Sequence, residues 1–210
     1  LGRGDSDTTA VAIAASLNAD RCEIYTDVDG IYTADPRIVK SARKLDRITH
    51  DEMLEMAGLG AKVLHSRSVE LAKKFQVPLM VRSSFHEGDG TIIVKESEIM
   101  EQVVVSGVTS NKDQAKISLI GIEDKPGVAA EIFNIVAEQN INIDMIIQNV
   151  GRDGTTDLSF TVPEKDLSKA VKVIQDLSDQ IKIATLETDS DISKVSVVGI
   201  GMVSHVGIAS

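Results

Sequence analysis

The stretch Ile117-Ser118-Leu119-Ile120-Gly121-Ile122-Glu123-Asp124-Lys125-Pro126-Gly127-Val128-Ala129 decides how the chain folds. Six β-prone residues run into a turn closed by proline and glycine, and a helical pattern starts at once. Val128, Ile132, Ile135 and Val136 share one face of the helix expected over 127–139. Residues 141–150 then read as a strand, Gly151-Arg152-Asp153-Gly154 as a hairpin, and 155–162 as the return strand. Residues 164–177 place Leu167, Ala170, Val171, Ile174 and Leu177 at helical spacing, and 181–186 form a last strand. The order is βαββαβ, the ferredoxin-like pattern.

Outward from this core the opening strand recurs. Its first six residues return as Val195-Ser196-Val197-Val198-Gly199-Ile200, and Gly127-Val128-Ala129 returns as Gly207-Ile208-Ala209. The second copy stops at Ser210, about where its first helix is due, and a lone strand cannot bury its face. The chain opens on Leu1 instead of an initiator Met. Truncation at both ends is therefore expected.

Upstream, strand and helix patterns alternate. A helix is expected over 7–17, with Ser6 or Asp7 as its cap, and a strand over 22–28 closed by Asp29-Gly30. Residues 31–37 read as a loop. Thr49 and Glu52 have capping-box spacing, for a helix reaching Ala57 and stopping near Gly58 and Gly60. A helix over 61–76 and strands over 78–85 and 91–95 complete an α/β layered half. The polar stretch 95–102 marks the boundary.

Charge and composition exclude several functions. The 210 residues carry a net charge of −10, unevenly spread. Residues 1–95 hold 13 Lys and Arg against 14 Asp and Glu; residues 96–210 hold 9 against 18. So acidic a second half repels nucleic-acid phosphates, and no Trp, two Tyr and four Phe leave little to stack on bases. No apolar run of membrane-spanning length occurs, so neither a nucleic acid nor a membrane is an expected partner. The single Cys22 rules out an internal disulfide and fits a reducing, cytoplasmic compartment; it reads as a packed thiol. His50, His65, His86 and His205 lack mutual metal-site spacing, so no metal site is expected of them.

Three stretches carry candidate chemistry. Gly2-Arg3-Gly4-Asp5-Ser6-Asp7-Thr8-Thr9 runs from a glycine turn into a helix. It is either an anion site, using backbone N–H groups, the helix dipole and Arg3, or an ordinary capped start. It lacks the spacing of a P-loop. Its Arg3-Gly4-Asp5 tripeptide also occurs in integrin recognition, but adhesion would require a secreted chain. Thr26-Asp27-Val28-Asp29-Gly30-Ile31-Tyr32-Thr33-Ala34-Asp35-Pro36-Arg37 gathers carboxylates, an aromatic and an Arg at a strand end, where open α/β sheets bind ligands. The alternatives are a nucleotide site and an acidic turn. Glu123-Asp124-Lys125-Pro126-Gly127 and Asn142-Ile143-Asp144 could grip the two ends of a free amino acid, against the alternative of a plain β–α turn.

In order along the chain these residues resemble aspartate kinase. The resemblance rests on Gly2–Thr9, on Tyr25 through Arg37, on Gly60-Ala61-Lys62-Val63-Leu64-His65, on Asp124-Lys125-Pro126-Gly127, on Asn142-Ile143-Asp144-Met145 and on Gln148-Asn149. It implies an α/β chain: the C-terminal, nucleotide-binding part of an amino-acid-kinase domain, then ferredoxin-like ACT modules, one nested in the other. Its domains would be 1–95 for the partial kinase, 96–115 for a linker and early strand (103–109) of the second module, 116–188 for the first module, and 189–210 for the incomplete remainder of the second.

By the same resemblance Arg3, Gly4 and Ser6 bind the substrate L-aspartate and Asp7 is the catalytic-site carboxylate. Tyr25, Thr26, Asp27, Ile31, Tyr32, Asp35, Arg37, Lys62 and Val63 contact ATP, which arrives with Mg2+. Asp124, Gly127, Ala129, Asn142, Ile143, Asp144 and Gln148 hold a feedback amino acid, lysine and/or threonine. The implied reaction phosphorylates the β-carboxylate of aspartate, on the route to lysine, threonine and methionine. Implied partners are a second copy or a full-length kinase chain, paired through the ACT modules. Asp5 stands where the family has Gly, and the family's Lys-Phe-Gly-Gly-Thr-Ser opening has no counterpart. A partial kinase, inactive alone, and a non-catalytic amino-acid-sensing subunit are thus the two expectations.

Overall fold

The computed structural model describes residues 4–98, 105–151, 154–177 and 181–199. The chain divides into two compact units, residues 1–110 with 195–210, and residues 111–194. Arg3, His205 and the second copy of the repeat from Ile200 onward lie outside the described residues.

In the first unit, helix α1 (Asp5–Ser16), strands β1 (Cys22–Thr26) and β2 (Arg47–Thr49), helices α2 (His50–Gly58) and α3 (Ser66–Phe75), and strands β3 (Leu79–Ser83) and β4 (Thr91–Val94) follow in order. The sheet runs β1-β3-β4-β2. β1 is parallel to β3, β2 is parallel to β4, and β3 and β4 are antiparallel. Val11 and Ala14 of α1, Met53 and Met56 of α2, and Val69 and Ala72 of α3 are buried in one core with Leu79, Val81 and Ile93. The three helices and the sheet thus share one apolar core.

The capping box at Thr49 and Glu52 forms as its spacing requires. Three expectations are corrected. α1 starts at Asp5, and neither Ser6 nor Asp7 caps it: its cap is Gly4, left-handed at φ 84°, while the Ser6 hydroxyl donates to Asp7. The helix expected over 61–76 begins only at Ser66. Gly60 is left-handed at φ 116° and His65 is extended, so 61–65 is a turn that His65 closes as the α3 cap. β2 was not foreseen; its three residues are too few to show a period.

Strand β5 (Gly107–Asn111) ends this part of the chain. The second unit holds β6 (Gln114–Glu123), α4 (Val128–Glu138), β7 (Ile146–Val150), β8 (Thr155–Pro163), α5 (Leu167–Leu177) and β9 (Thr185–Asp189). Its antiparallel sheet runs β7-β8-β6-β9, which is the ferredoxin-like order. Ile117, Leu119, Leu158, Phe160 and Val162 meet Ile132, Val136, Ala170 and Ile174 in a second core. Phe133 and Phe160 meet edge to face at 5.5 Å. The strand expected over 141–150 is shorter, because Ile141 and Ile143 turn into this core before pairing is complete. The last strand comes later than 181–186, since the Ile181 N–H still donates to Leu177 at the end of α5.

Strand β10 (Lys194–Val198) pairs with β5 in a two-stranded sheet, and Ser106 N–H donates to Val198 O at 2.8 Å. Among the described residues no helix is long and apolar enough to cross a membrane.

Candidate functional site

The start of α1 is built on Gly4. Its carbonyl accepts from both the N–H and the hydroxyl of Thr8, at 3.2 and 3.1 Å. Its Cα faces the imidazole of His65, where an added Cβ would come within 2.5 Å of Cγ. Nδ1 of His65 accepts from Arg67 N–H at the start of α3. Two helix starts are therefore held together by one glycine and one histidine. Ser6 is exposed and Asp7 half-buried. Asp5 and Asp7 stand in the first turn, at the positive end of the helix dipole. Burial and then the charges of Asp7 and Glu23 push the Cys22 thiol up, which suits packing rather than nucleophilic attack. His65 is a residue that sequence reasoning missed. A histidine cap leaves no periodic signature in the sequence.

The expected nucleotide residues follow β1. The carbonyl of Thr26 accepts from the N–H and the hydroxyl of Ser84, at 2.8 and 2.9 Å, joining the carboxyl ends of the parallel strands β1 and β3. The Thr26 hydroxyl donates to Asp27, and the Tyr25 hydroxyl to Glu23, whose carboxyl this bond holds low. Ile31 is buried in the core, 1% exposed; its N–H donates to Thr91 Oγ1 at 2.8 Å. The Tyr32 hydroxyl donates to Asp29 at 2.8 Å, and Lys44 stands 3.6 Å from the same carboxylate. Burial alone would raise the Asp29 carboxyl; the hydrogen bonds from Tyr32 and its own N–H, with Lys44, hold it below the usual range. Arg37 grips Asp35 with Nε, Nη2 and its backbone N–H, and this bonding lowers the Asp35 carboxyl. Lys62 is exposed in the turn before α3, and Val63 packs partly into the first core. Two loop carboxylates, Asp29 and Asp35, are thus already engaged, while Asp27 is exposed. Among the described residues no three His, Cys, Asp or Glu side chains converge as a metal set.

The second site is a cavity of about 360 Å³ where β6 runs into α4. It is lined by Glu123 through Ala129, with Gln148 and Thr156 from β7 and β8. Gly127, left-handed at φ 97°, caps α4 with no side-chain bond, so the positive helix start opens on the cavity without a side chain of its own to satisfy it. A bulge between Leu119 and Ile122, with left-handed Gly121 bonded to Asp157, aims the end of β6 at this turn. The Asp124 N–H donates to Gly154 O at 3.0 Å, and Lys125 pairs with Glu123 at 2.9 Å. The structure therefore brings Asp124, Gly127, Ala129 and Gln148 together. Asn142, Ile143 and Asp144 are not part of this lining: Ile143 packs in the core, and the Asp144 carboxylate is met by Lys194. Thr156 is a lining residue that the expectation left out.

The amino acid kinase family profile matches residues 1–83, and an ACT domain profile matches 117–177. An aspartate kinase of Pseudomonas putida is 54% identical over the whole of this chain. The chain spans about half of that relative, 51% of its length. Among solved structures, Escherichia coli aspartokinase III in complex with aspartate and ADP is similar over 100% of this chain and 46% of its own, at 29% identity and a TM-score of 0.81. The same enzyme in complex with lysine and aspartate covers 95% of this chain and 44% of its own, at 30% identity and a TM-score of 0.73. By sequence and by fold, the chain belongs to the aspartate kinases.

Proposed function

We propose that the chain serves ATP-dependent phosphorylation of the L-aspartate β-carboxylate and carries a sensor for a feedback amino acid. Residues 1–95 would form the nucleotide-side part of the kinase domain, 96–115 a linker with the early strand of a second ACT module, 116–188 the first module, and 189–210 more of the second. This boundary scheme is supported by the two profile matches and by the pairing of β5 with β10.

On this reading Arg3, Gly4 and Ser6 hold aspartate and Asp7 is the catalytic-site carboxylate. Tyr25, Thr26, Asp27, Ile31, Tyr32, Asp35, Arg37, Lys62 and Val63 form the ATP side. Ile31 would shape this side of the site by anchoring the loop: its side chain is buried, its N–H is bonded to Thr91 and its carbonyl accepts from Leu45. Phosphoryl transfer to a carboxylate asks for positioning and charge neutralisation more than covalent help. Mg2+ would travel with the phosphates, needing only one or two protein carboxylates, and exposed Asp27 is the one at hand. The bound aspartate and ADP of the E. coli enzyme accord with these substrates.

The cavity at the start of α4 carries the sensing part. Free helix N–H groups suit a carboxylate, and Asp124 suits an ammonium, so the cavity fits an amino acid such as lysine or threonine. The E. coli enzyme is known with lysine bound. β7 is exposed along its length, with Ile146, Ile147 and Val150 uncovered at a sheet edge. This supports pairing with a second ACT-bearing chain, a copy or a longer kinase.

Calorimetric titration of the chain with L-lysine, L-threonine, L-methionine and Mg-ATP tests both halves. Saturable binding of one amino acid, lost in Asp124→Ala, supports the sensor; no binding of any of them ends that reading. Mg-ATP binding lost in Arg37→Ala supports the nucleotide side.

A further inference from the structure

We infer that Glu52 is a positioning residue: its buried carboxylate clamps the segment around Ser106 onto α2, and the clamped strand holds the loop 31–45 in place. Glu52 is 7% exposed. Its Oε2 accepts from the N–H and the hydroxyl of Thr49, at 3.1 and 2.9 Å, which completes the capping box of α2. That box needs one carboxylate oxygen. The other, Oε1, accepts from the hydroxyl of Ser106, a residue 54 positions away and 5% exposed.

The contacts continue residue by residue from Ser106. Its N–H donates to Val198, which ties the clamp to β10. Gly107 lies on Met56, one turn beyond Glu52 on α2; a Cβ at Gly107 would stand 2.8 Å from the thioether sulfur, so a larger residue there would have to displace the end of the Met56 side chain. Val108 N–H donates to Thr33 O at 2.7 Å, and Thr109 Oγ1 donates to Leu59 O at 3.2 Å. Thr33 is itself the fold-back point of the loop: its N–H donates to Arg43 O, its hydroxyl accepts from Arg43 N–H, and Leu45 N–H donates to Ile31 O. The loop flanks of Tyr32, Asp35 and Arg37 are thus held by a strand that Glu52 and Ser106 pin. A change in the β5–β10 sheet has a direct mechanical route to this loop.

The placement of the loop stands on these bonds alone; its bearing on nucleotide binding rests on the function proposed above. Amide hydrogen exchange on the full chain tests the clamp. Ser106→Ala leaves the Thr49 box intact and removes one buried hydrogen bond. Exchange should rise about tenfold at Val108, Thr33 and Leu45, with Ile24 in β1 unchanged. Glu52→Gln, which keeps the box and can offer its amide to the Ser106 oxygen, should stay within about threefold of wild type. Faster exchange at Val108 with wild-type rates at Thr33 and Leu45 would overturn the inference, as would a uniform rise that includes Ile24. Titration with ADP is the second arm: affinity should fall in Ser106→Ala. If wild type binds no ADP, the nucleotide reading fails while the exchange comparison still decides the clamp.

Discussion

The imidazole of His65 occupies the space that a side chain at Gly4 would need. An ideal Cβ there falls 2.5–2.6 Å from three atoms of the His65 side chain, and Gly4 is left-handed at φ 84°. Two separate penalties follow for Gly4→Ala, a backbone one of about 1–3 kcal/mol and a steric one on top of it. His65→Ala removes the two crowding ring atoms but keeps the His65 Cβ at 2.6 Å, so it relieves part of the steric penalty and leaves the backbone one. Urea unfolding of the two single variants and the double variant separates them. Gly4→Ala should cost clearly less in the His65→Ala background. Equal costs in both backgrounds would mean that the ring moves aside freely.

Tyr32 and Asp29 make a pH-dependent contribution. The Asp29 carboxyl is held below its unfolded value, with the Tyr32 bond as the largest effect opposing burial. Stability from this group is therefore present above the unfolded value, about pH 4, and is lost as the pH falls through the folded one. Tyr32→Phe narrows the gap. The variant should be less stable than wild type at pH 7, and the difference should shrink on titration to pH 3. Urea midpoints at the two pH values check this. A difference that persists unchanged would assign the loss to packing instead.

Thr91 of β4 ties the same loop to the sheet. It is fully buried; its hydroxyl donates to Leu45 O at 2.6 Å and accepts from Ile31 N–H at 2.8 Å. Thr91→Val keeps the shape and orphans a buried backbone N–H and a carbonyl. The cost should be about 1–3 kcal/mol, read from denaturant unfolding. A near-neutral result would show that water reaches Ile31.

The second unit was readable in the sequence nearly element by element. Its helices α4 and α5 are amphipathic at a clear period, and Gly127 and Gly154 sit where left-handed turns are needed. The first unit was read less well at its joints. β2 is three residues long, and the turn at 61–65 is composed of residues that are good helix formers; His65 and Gly60 override them from outside any periodic pattern. The candidate sites divide in the same way. Asp124, Gly127 and Ala129 are neighbours in sequence and remain so in space. Gln148 joins them only because β7 pairs with β8 and β8 with β6. Asn142 and Asp144 join them in the sequence reading by chemistry and by the family resemblance, and sequence offers no sign that Lys194, fifty residues on, meets the Asp144 carboxylate.

Gly127 permits the strictest separation of binding from folding. It lines the cavity, and an added Cβ there would meet nothing within 4 Å, so Gly127→Ala has no steric cost within the unit. What remains is the left-handed backbone at φ 97°, about 1–2 kcal/mol for a non-glycine residue. The same Cβ stands where a ligand carboxylate would approach the first N–H groups of α4. Thermal melting should therefore show a modestly lowered transition for the variant without ligand. In wild type, an amino acid at a hundred times its dissociation constant adds about 2.7 kcal/mol, and in the variant that increment should vanish. A variant that melts lower yet keeps the full increment would move the carboxylate site away from the start of α4.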